Sequence, residues 1–283
     1  MAKLGRKVKW GLWIAVLLLA GCGGLRQFEH SLVYRPSKDA IPWPSEIGET
    51  RQDVYFATTD GVKLNACFFP AATNSPRKQM VILVCHGNGG NVTYLSRLYT
   101  RLAQTGANVL LFDYRGYGKS EGRPNEEGTY LDAQAAYQWL RQRGFVGTNI
   151  FSYGESLGGG IATELAMRET TGGLVLESTG TSIPDMGRHL YPWLPVRTIG
   201  RIKYDTYKKL PALKVPVLIM NSRTDGLVPF EMGERNFAAA NQPKMFFEIT
   251  GGHVSAGEDY HAGMEKFLSG LEAARMHGGE AKF

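Results

Sequence analysis

The sequence lacks the long apolar segments with which integral membrane proteins cross a bilayer. Its strongest apolar run covers only residues 10–20, whereas a helix that spans a bilayer needs about 20 such residues. Internal repeats and low-complexity stretches are missing too, which argues against a solenoid or a compositionally biased chain. A single domain with one large core is therefore the expectation for these 283 residues.

Once the first ten residues are set aside, the positive and negative charges of the chain nearly balance. The formal net charge is +6, and four of the 32 Lys and Arg residues are Lys3, Arg6, Lys7 and Lys9. The rest of the chain carries 28 basic residues against 26 acidic ones. Because nucleic-acid binding needs a basic surface, the composition gives no reason to expect a nucleic-acid partner.

Cysteine is scarce as well, with three in the chain. Cys67 and Cys85 each fall within a predicted strand, so two buried free thiols are expected rather than a disulfide.

The third cysteine, Cys22, follows a segment that looks like a leader. Basic residues precede the apolar run, and the run ends in LAGC at residues 19–22, which resembles the lipobox of bacterial lipoproteins. The pattern predicts a signal peptide over residues 1–21, lipid modification of Cys22, and an anchor and linker over residues 22–49. An uncleaved signal anchor is the alternative. Under both predictions, the rest of the chain is exported and held at a membrane of the bacterial cell envelope.

From residue 50 onward, apolar strands alternate with helical patterns. The run MVILVC at residues 80–85 is unbroken, as expected of a strand buried on both faces. Repeated strand–helix units predict an α/β fold with a parallel sheet covered on both faces, over residues 50–276 and with a tail at 277–283. Other strands are predicted at 53–57, 62–70, 108–112, 149–153, 174–176, 217–220 and 245–249, and helices at 93–104, 125–143, 229–240 and 258–274.

One interval interrupts this alternation. Residues 179–210 separate two predicted strands and are rich in proline, aromatic and basic residues. An insertion at this point lies above the carboxyl ends of the strands, where α/β sheets bind ligands. We interpret it as a small lid, and an ordinary surface excursion is the alternative.

The strongest chemical signal is the G-x-S-x-G sequence GESLG at residues 154–158. A predicted strand leads directly into it and a predicted helix follows, so Ser156 occupies a tight corner with its hydroxyl free above the sheet. The helix N-terminus behind it favours negative charge. Ser120 lies in a second match to the pattern, but within a polar glycine loop that lacks this context. Ser156 is the candidate nucleophile.

A serine nucleophile needs a base and a group that orients the base. His253 follows a predicted strand through two glycines, at the sheet edge where the sites of α/β proteins gather. Asp225 also follows a buried strand, which gives the chain order Ser, Asp, His. Glu177, at the end of the strand after the nucleophile, is the rival orienter. We predict Ser156, His253 and Asp225 as the catalytic residues.

Backbone N–H groups should stabilise the oxyanion of the reaction. One is expected from Leu157, directly after the nucleophile. The other is expected from Asn88, in the glycine-rich loop HGNGGN at residues 86–91, where small residues allow the backbone to approach a ligand. His86 at the start of that loop is predicted to brace it rather than to react.

These motifs resemble the α/β-hydrolase superfamily. The resemblance rests on HGNGGN, on DYRGYGKSEG at residues 113–122, on GESLGG, and on the TDGLVP and GGH stretches. The first two are similar to the branch that includes the eukaryotic α/β-hydrolase-domain depalmitoylases. The resemblance implies an eight-stranded, mostly parallel sheet whose second strand is antiparallel, and serine hydrolysis of esters, thioesters or amides without a cofactor or metal.

The sequence therefore predicts a serine hydrolase that cleaves carboxylic ester or thioester bonds through an acyl-enzyme. Its substrate would be a small-molecule or lipid ester, and its membrane contact an N-terminal lipid anchor. Two alternatives remain open at this point: a serine peptidase, and a membrane-tethered binding lipoprotein that keeps the fold without catalysis.

Overall fold

The structure, a computed structural model, describes residues 24–48, 50–253, 255–257, 259–279, 281 and 283. The predicted signal peptide and Cys22 lie outside these residues. The strands in chain order are β1 (Arg35–Pro36), β2 (Gln52–Ala57), β3 (Lys63–Phe69), β4 (Val81–Cys85), β5 (Gly89–Gly90), β6 (Asn108–Phe112), β7 (Ile150–Glu155), β8 (Gly173–Glu177), β9 (Val217–Asn221), β10 (Lys244–Glu248), β11 (Gly251–Gly252) and β12 (Ser255–Ala256).

Helices alternate with most of these strands. They are α1 (24–33), α2 (Ser45–Gly48), α3 (Ser96–Ala103), α4 (Glu126–Gln142), α5 (Gly158–Arg168), α6 (Ile183–Leu190), α7 (Val196–Ile199), α8 (Thr206–Lys209), α9 (Phe230–Ala239) and α10 (Tyr260–His277). In the part of the chain that the structure describes, no helix combines the length and apolarity needed to cross a membrane.

One eight-stranded sheet organises the molecule, in the order β10-β9-β8-β7-β4-β6-β3-β2. Every pair from β10 to β6 is parallel, whereas β3 runs antiparallel to both of its neighbours. The central strands β4, β6, β7, β8 and β9 are buried along their whole length. Their sequences are mainly apolar for this reason, since helices cover both faces of a parallel sheet. The predicted α/β fold, with its antiparallel second strand, is confirmed.

Two hydrophobic cores lie on opposite faces of the sheet. One core packs α4 and α5 against the sheet, and the other packs α3 and α10 against it. Cys67 and Cys85 are free and buried within these layers, as the sequence predicted. Burial raises the pKa of the Cys67 thiol to about 12, so this thiol stays protonated and packs as a small apolar group.

The segment before residue 50, predicted as anchor and linker, contains regular structure in its described part. Residues 24–33 form the helix α1, and the short strand β1 behind it pairs in parallel with β5. The hydroxyl groups of Tyr34 and Tyr204 are 2.9 Å apart and both side chains are buried. Glu29 Oε1 accepts the N–H groups of Arg201 and Ile202. The lead-in therefore packs onto the loop after β4 and onto the insertion between β8 and β9.

That insertion contains α6, α7 and α8. The side chain of Ser182 caps α6 by accepting the N–H of Asp185, and Asp205 caps α8 in the same way. A serine or aspartate before the first turn supplies the acceptor that a helix N-terminus lacks. Three short helices thus replace the loop that a plain strand–helix–strand unit would have here.

Candidate active site

Ser156 stands at the corner between β7 and α5. Its φ of 54° lies in the left-handed region that a residue with a side chain seldom adopts. The corner holds because its neighbours are close: a Cβ at Gly158 would clash with the carbonyl oxygen of Cys85, and one at Gly154 with the backbone of Gly159. The N–H of Ser156 donates to the carbonyl oxygen of Glu177 at 2.9 Å. The hydroxyl is thereby fixed above the carboxyl ends of the strands.

A chain of hydrogen bonds joins the three predicted catalytic residues. His253 Nε2 lies 3.0 Å from Ser156 Oγ, and His253 Nδ1 lies 2.9 Å from Asp225 Oδ2. The other oxygen, Oδ1, accepts the N–H groups of Leu227 and Val228 at 2.8 and 2.9 Å. Burial alone would raise the pKa of Asp225, but these hydrogen bonds outweigh it, so the pKa lies below its usual value. Asp225 is an ionised carboxylate aimed at the imidazole.

The two predicted oxyanion donors are the backbone N–H groups of Leu157 and Asn88. Leu157 precedes α5, and Asn88 lies in the loop after β4; both line one cavity together with Ser156. Neither N–H donates a hydrogen bond to another described residue. The carbonyl oxygen of Asn88 is held by the N–H of Arg35 and by the hydroxyl of Tyr117. The structure thus leaves two donors open where the sequence predicts the oxyanion hole.

The structure separates the rival residues from this chain of hydrogen bonds. Ser120 is buried and donates to the carbonyl oxygen of Asp113. Glu177 accepts from the Tyr153 hydroxyl and lies 3.5 Å from Arg101, and no hydrogen bond joins it to His253 among the described residues. Both rivals are embedded in the packing beside the site.

His86 is buried at the start of the Asn88 loop. Its Nδ1 lies 2.7 Å from the carbonyl oxygen of Gly87, and its ring lies against that of Tyr114. Its Nε2 is 3.9 Å from Asp113 Oδ1 and lacks a hydrogen-bond partner in the described residues. Burial lowers the pKa of His86 to about 4 and raises that of Asp113 to about 7. His86 and Asp113 therefore do not form an ion pair at neutral pH, and His86 packs as a neutral side chain.

A cavity of about 580 Å³ opens beside the nucleophile. The insertion supplies one wall, chiefly through apolar side chains such as Ile183, Met186 and Leu194. The helix α1 supplies another wall through Leu25, Phe28, Leu32 and Val33. An apolar cavity that ends at a reactive hydroxyl suits an extended apolar substrate group.

The contribution of α1 is what sequence reasoning missed. Leu25, Phe28 and Leu32 recur at helical spacing, and this pattern could have indicated a helix with one apolar face. The insertion between β8 and β9, far along the chain, lines the same cavity as that face. Within the described ranges, no group of three or more His, Cys, Asp or Glu side chains is placed to hold a metal ion.

Comparisons with known proteins agree with this architecture. Residues 76–206 match the family model described as serine aminopeptidase, S33. The chain is 30% identical over 285 residues to the α/β-hydrolase domain-containing protein WAV2 of Arabidopsis thaliana, and the match covers 89% of this chain and 91% of that protein. It is 35% identical over 185 residues to lysophosphatidylserine lipase ABHD12 of Danio rerio, over 58% of this chain and 48% of that protein.

Among solved structures, the esterase Pf2001 of Pyrococcus furiosus has the same fold. It superposes with a TM-score of 0.66 at 22% sequence identity, over 84% of this chain and 97% of the esterase. The strand order, the strand–corner–helix at Ser156 and the full-length relative together identify the family. The chain belongs to the α/β-hydrolase superfamily.

Proposed function

We propose that this protein is a serine hydrolase that cleaves carboxylic ester or thioester bonds. The observation that carries the proposal is the continuous hydrogen-bonded chain from Ser156 Oγ through His253 to Asp225. A hydroxyl becomes an effective nucleophile when a base can take its proton and a carboxylate holds that base in the right tautomer. All three groups are within hydrogen-bond distance without any movement of the chain.

The reaction follows from this arrangement. Ser156 Oγ attacks the acyl carbon while His253 Nε2 takes the hydroxyl proton, and Asp225 stabilises the resulting imidazolium. The N–H groups of Asn88 and Leu157 hold the oxyanion, beside the positive end of α5. The C–O or C–S bond then breaks, and the leaving group takes the proton from His253. Water, deprotonated by His253, releases the acid and restores the serine.

The cavity supports an apolar acyl group as the part of the substrate that the protein holds. Its walls are mostly aliphatic and aromatic side chains, which offer little to a charged peptide. The similarity to a lipase and the shared fold of an esterase favour ester chemistry. The description of the matched family model favours a peptidase instead. Substrate preference has to be measured, because the same triad serves both reactions.

A substrate panel tests the proposal. We would compare p-nitrophenyl esters of graded chain length, acyl thioesters and amino-acid amides, with wild-type protein and with Ser156→Ala. Medium or long acyl chains should react fastest, and Met186→Trp, which fills part of the cavity wall, should move the preference to shorter chains. Faster turnover of amides would indicate the peptidase. No turnover of any substrate, and no labelling by a fluorophosphonate, would favour the non-catalytic binding protein.

We also propose that the protein is held at a membrane of the bacterial cell envelope through lipid on Cys22. The support is the LAGC sequence after a basic and apolar leader. Metabolic palmitate labelling of wild type and Cys22→Ser, expressed in the native host, tests it. Labelling should disappear in the variant, and equal labelling of both proteins would favour an uncleaved signal anchor.

A further inference from the structure

Large hydrophobic side chains gather at the mouth of the substrate cavity. Among the described residues, thirteen such side chains are exposed; five of them line this cavity, and a sixth, Trp193, lies against the cavity residue Tyr191. We call these six the mouth rim: Leu25, Phe28, Leu190, Trp193, Ile199 and Leu227. Trp193 is 78% exposed, and its ring lies against Tyr191, which lines the cavity. A contiguous apolar patch of this kind marks a surface that contacts something other than water.

Unpaired positive charge surrounds the mouth rim. Arg26 and Arg201 line the opening, and Arg188 lies on α6 between two residues that line it. None of the three has a carboxylate within salt-bridge distance among the described residues. The acidic side chains nearby are engaged, since Asp185 pairs with Arg197, Asp205 pairs with Lys208, and Glu29, which lines the opening, accepts the backbone N–H groups of Arg201 and Ile202. The surface around the opening therefore presents arginines beside aromatic and aliphatic groups.

Only a few residues of the chain separate this surface from the apolar N-terminal run. Leu25 on the mouth rim is five residues after Ala20, the end of that run. Five residues reach at most about 18 Å even when fully extended. If the apolar run, or a lipid on Cys22, enters a bilayer, this short reach keeps the mouth rim close to the same bilayer surface.

We propose that the mouth rim docks on a bilayer surface that contains anionic glycerophospholipids. Its apolar side chains would enter the boundary between headgroups and acyl chains, and its arginines would contact the phosphates. The cavity would then open directly into the lipid, so that an acyl chain reaches Ser156 without crossing water. A protein partner is the other occupant that an apolar surface allows, and the test below distinguishes it.

Lipid photolabelling of the full chain tests the proposal without depending on hydrolysis. The protein is reconstituted in vesicles of phosphatidylethanolamine and phosphatidylglycerol, with a phosphatidylglycerol that carries a diazirine on its acyl chain. After irradiation, adducts are mapped by peptide mass spectrometry. Adducts should be more frequent in residues 24–33 and 183–203 than in residues 141–148, which lie at the opposite end of the sheet. Adducts confined to residues 1–23, or equal on both ends, would overturn the proposal and leave a protein partner as occupant.

A pair of variants separates the mouth rim from the N-terminal run. Trp193→Ser with Arg188→Glu changes the surface but no cavity-lining residue, and adducts in 183–203 should fall about tenfold. The matched control is Val146→Ser with Arg141→Glu, because Val146 is 52% exposed far from the mouth, and it should leave the adducts unchanged. Hydrolysis of a water-soluble ester should be the same in all three proteins. If the wild-type protein hydrolyses no such ester, the proposed function is refuted but the adduct map still stands. If the adducts are unchanged in Trp193→Ser with Arg188→Glu, the docking surface is refuted.

Discussion

The N–H of Arg35 donates a hydrogen bond to the carbonyl oxygen of Asn88 at 2.9 Å. This bond joins the lead-in of the chain to the loop whose Asn88 N–H is the proposed second oxyanion donor. The pairing continues where Ser37 donates to the carbonyl oxygen of Gly90. The lead-in thus helps to hold a loop on which catalysis is proposed to depend.

Removal of this segment should therefore reduce activity more than removal of the leader alone. A protein that begins at Gly24 keeps α1 and β1 and should hydrolyse soluble esters like the full chain. One that begins at Lys38 loses the bond to Asn88 and a wall of the cavity. We expect kcat/KM to fall at least about a hundredfold, the usual effect of losing one oxyanion donor. Thermal unfolding of both proteins controls for folding. Equal activity in the two would show that the loop holds its shape unaided.

Ser156→Ala should abolish hydrolysis and fluorophosphonate labelling. Loss of a triad serine typically lowers kcat by about a million-fold, and the Ser156 side chain is only partly buried, so the fold should persist. Ser120→Ala is the matched control. The buried Ser120 hydroxyl accepts the N–H of Asn65 and donates to Asp113, so its loss should lower the free energy of unfolding by about 1–3 kcal/mol and leave kcat nearly unchanged. Reversed phenotypes would make Ser120 the nucleophile.

Asp225→Asn should lower kcat by about ten-thousand-fold, because an amide favours the wrong tautomer of His253. Glu177→Gln should lower it far less, since the Glu177 carboxylate contacts Tyr153 and Arg101 instead of the imidazole. Steady-state kinetics of the two single variants decide the matter. A larger loss in Glu177→Gln would move the orienting role to β8.

His86 should make the fold less stable in mild acid. Burial lowers its pKa to about 4, whereas an ordinary histidine of the unfolded chain binds a proton below about 6.5. Stability is therefore retained above pH 6.5 and lost as the pH falls toward 4, where only the unfolded state gains the proton. Between pH 7.5 and 5, wild type should lose about 2 kcal/mol more than His86→Gln.

Urea unfolding at the two pH values measures this difference. Asp113, whose pKa burial raises to about 7, contributes with the opposite sign in both proteins. His277→Gln, at the exposed end of α10, is the control and should behave like wild type. The same loss in His86→Gln as in wild type would show that His86 titrates normally.

The sequence by itself determined the sheet and the corner of the fold. A strand buried on both faces must be apolar along its length, so the run at residues 80–85 predicted β4 to within one residue. The glycines at residues 154 and 158 predicted the strand–corner–helix, because only glycine fits where two backbones touch. Such local constraints act between neighbours in the chain and can be read from it.

Only the tertiary structure decided how distant segments share the site. Glu177 ends the buried strand β8 and Asp225 follows β9. The chain order favoured Asp225, but only the structure shows which carboxylate contacts His253, through a hydrogen bond of 2.9 Å. The apolar face of α1 is visible as a pattern, but its partner is an insertion more than 150 residues later in the chain. Packing between remote segments depends on where the sheet brings their surfaces together, and no local pattern encodes that meeting.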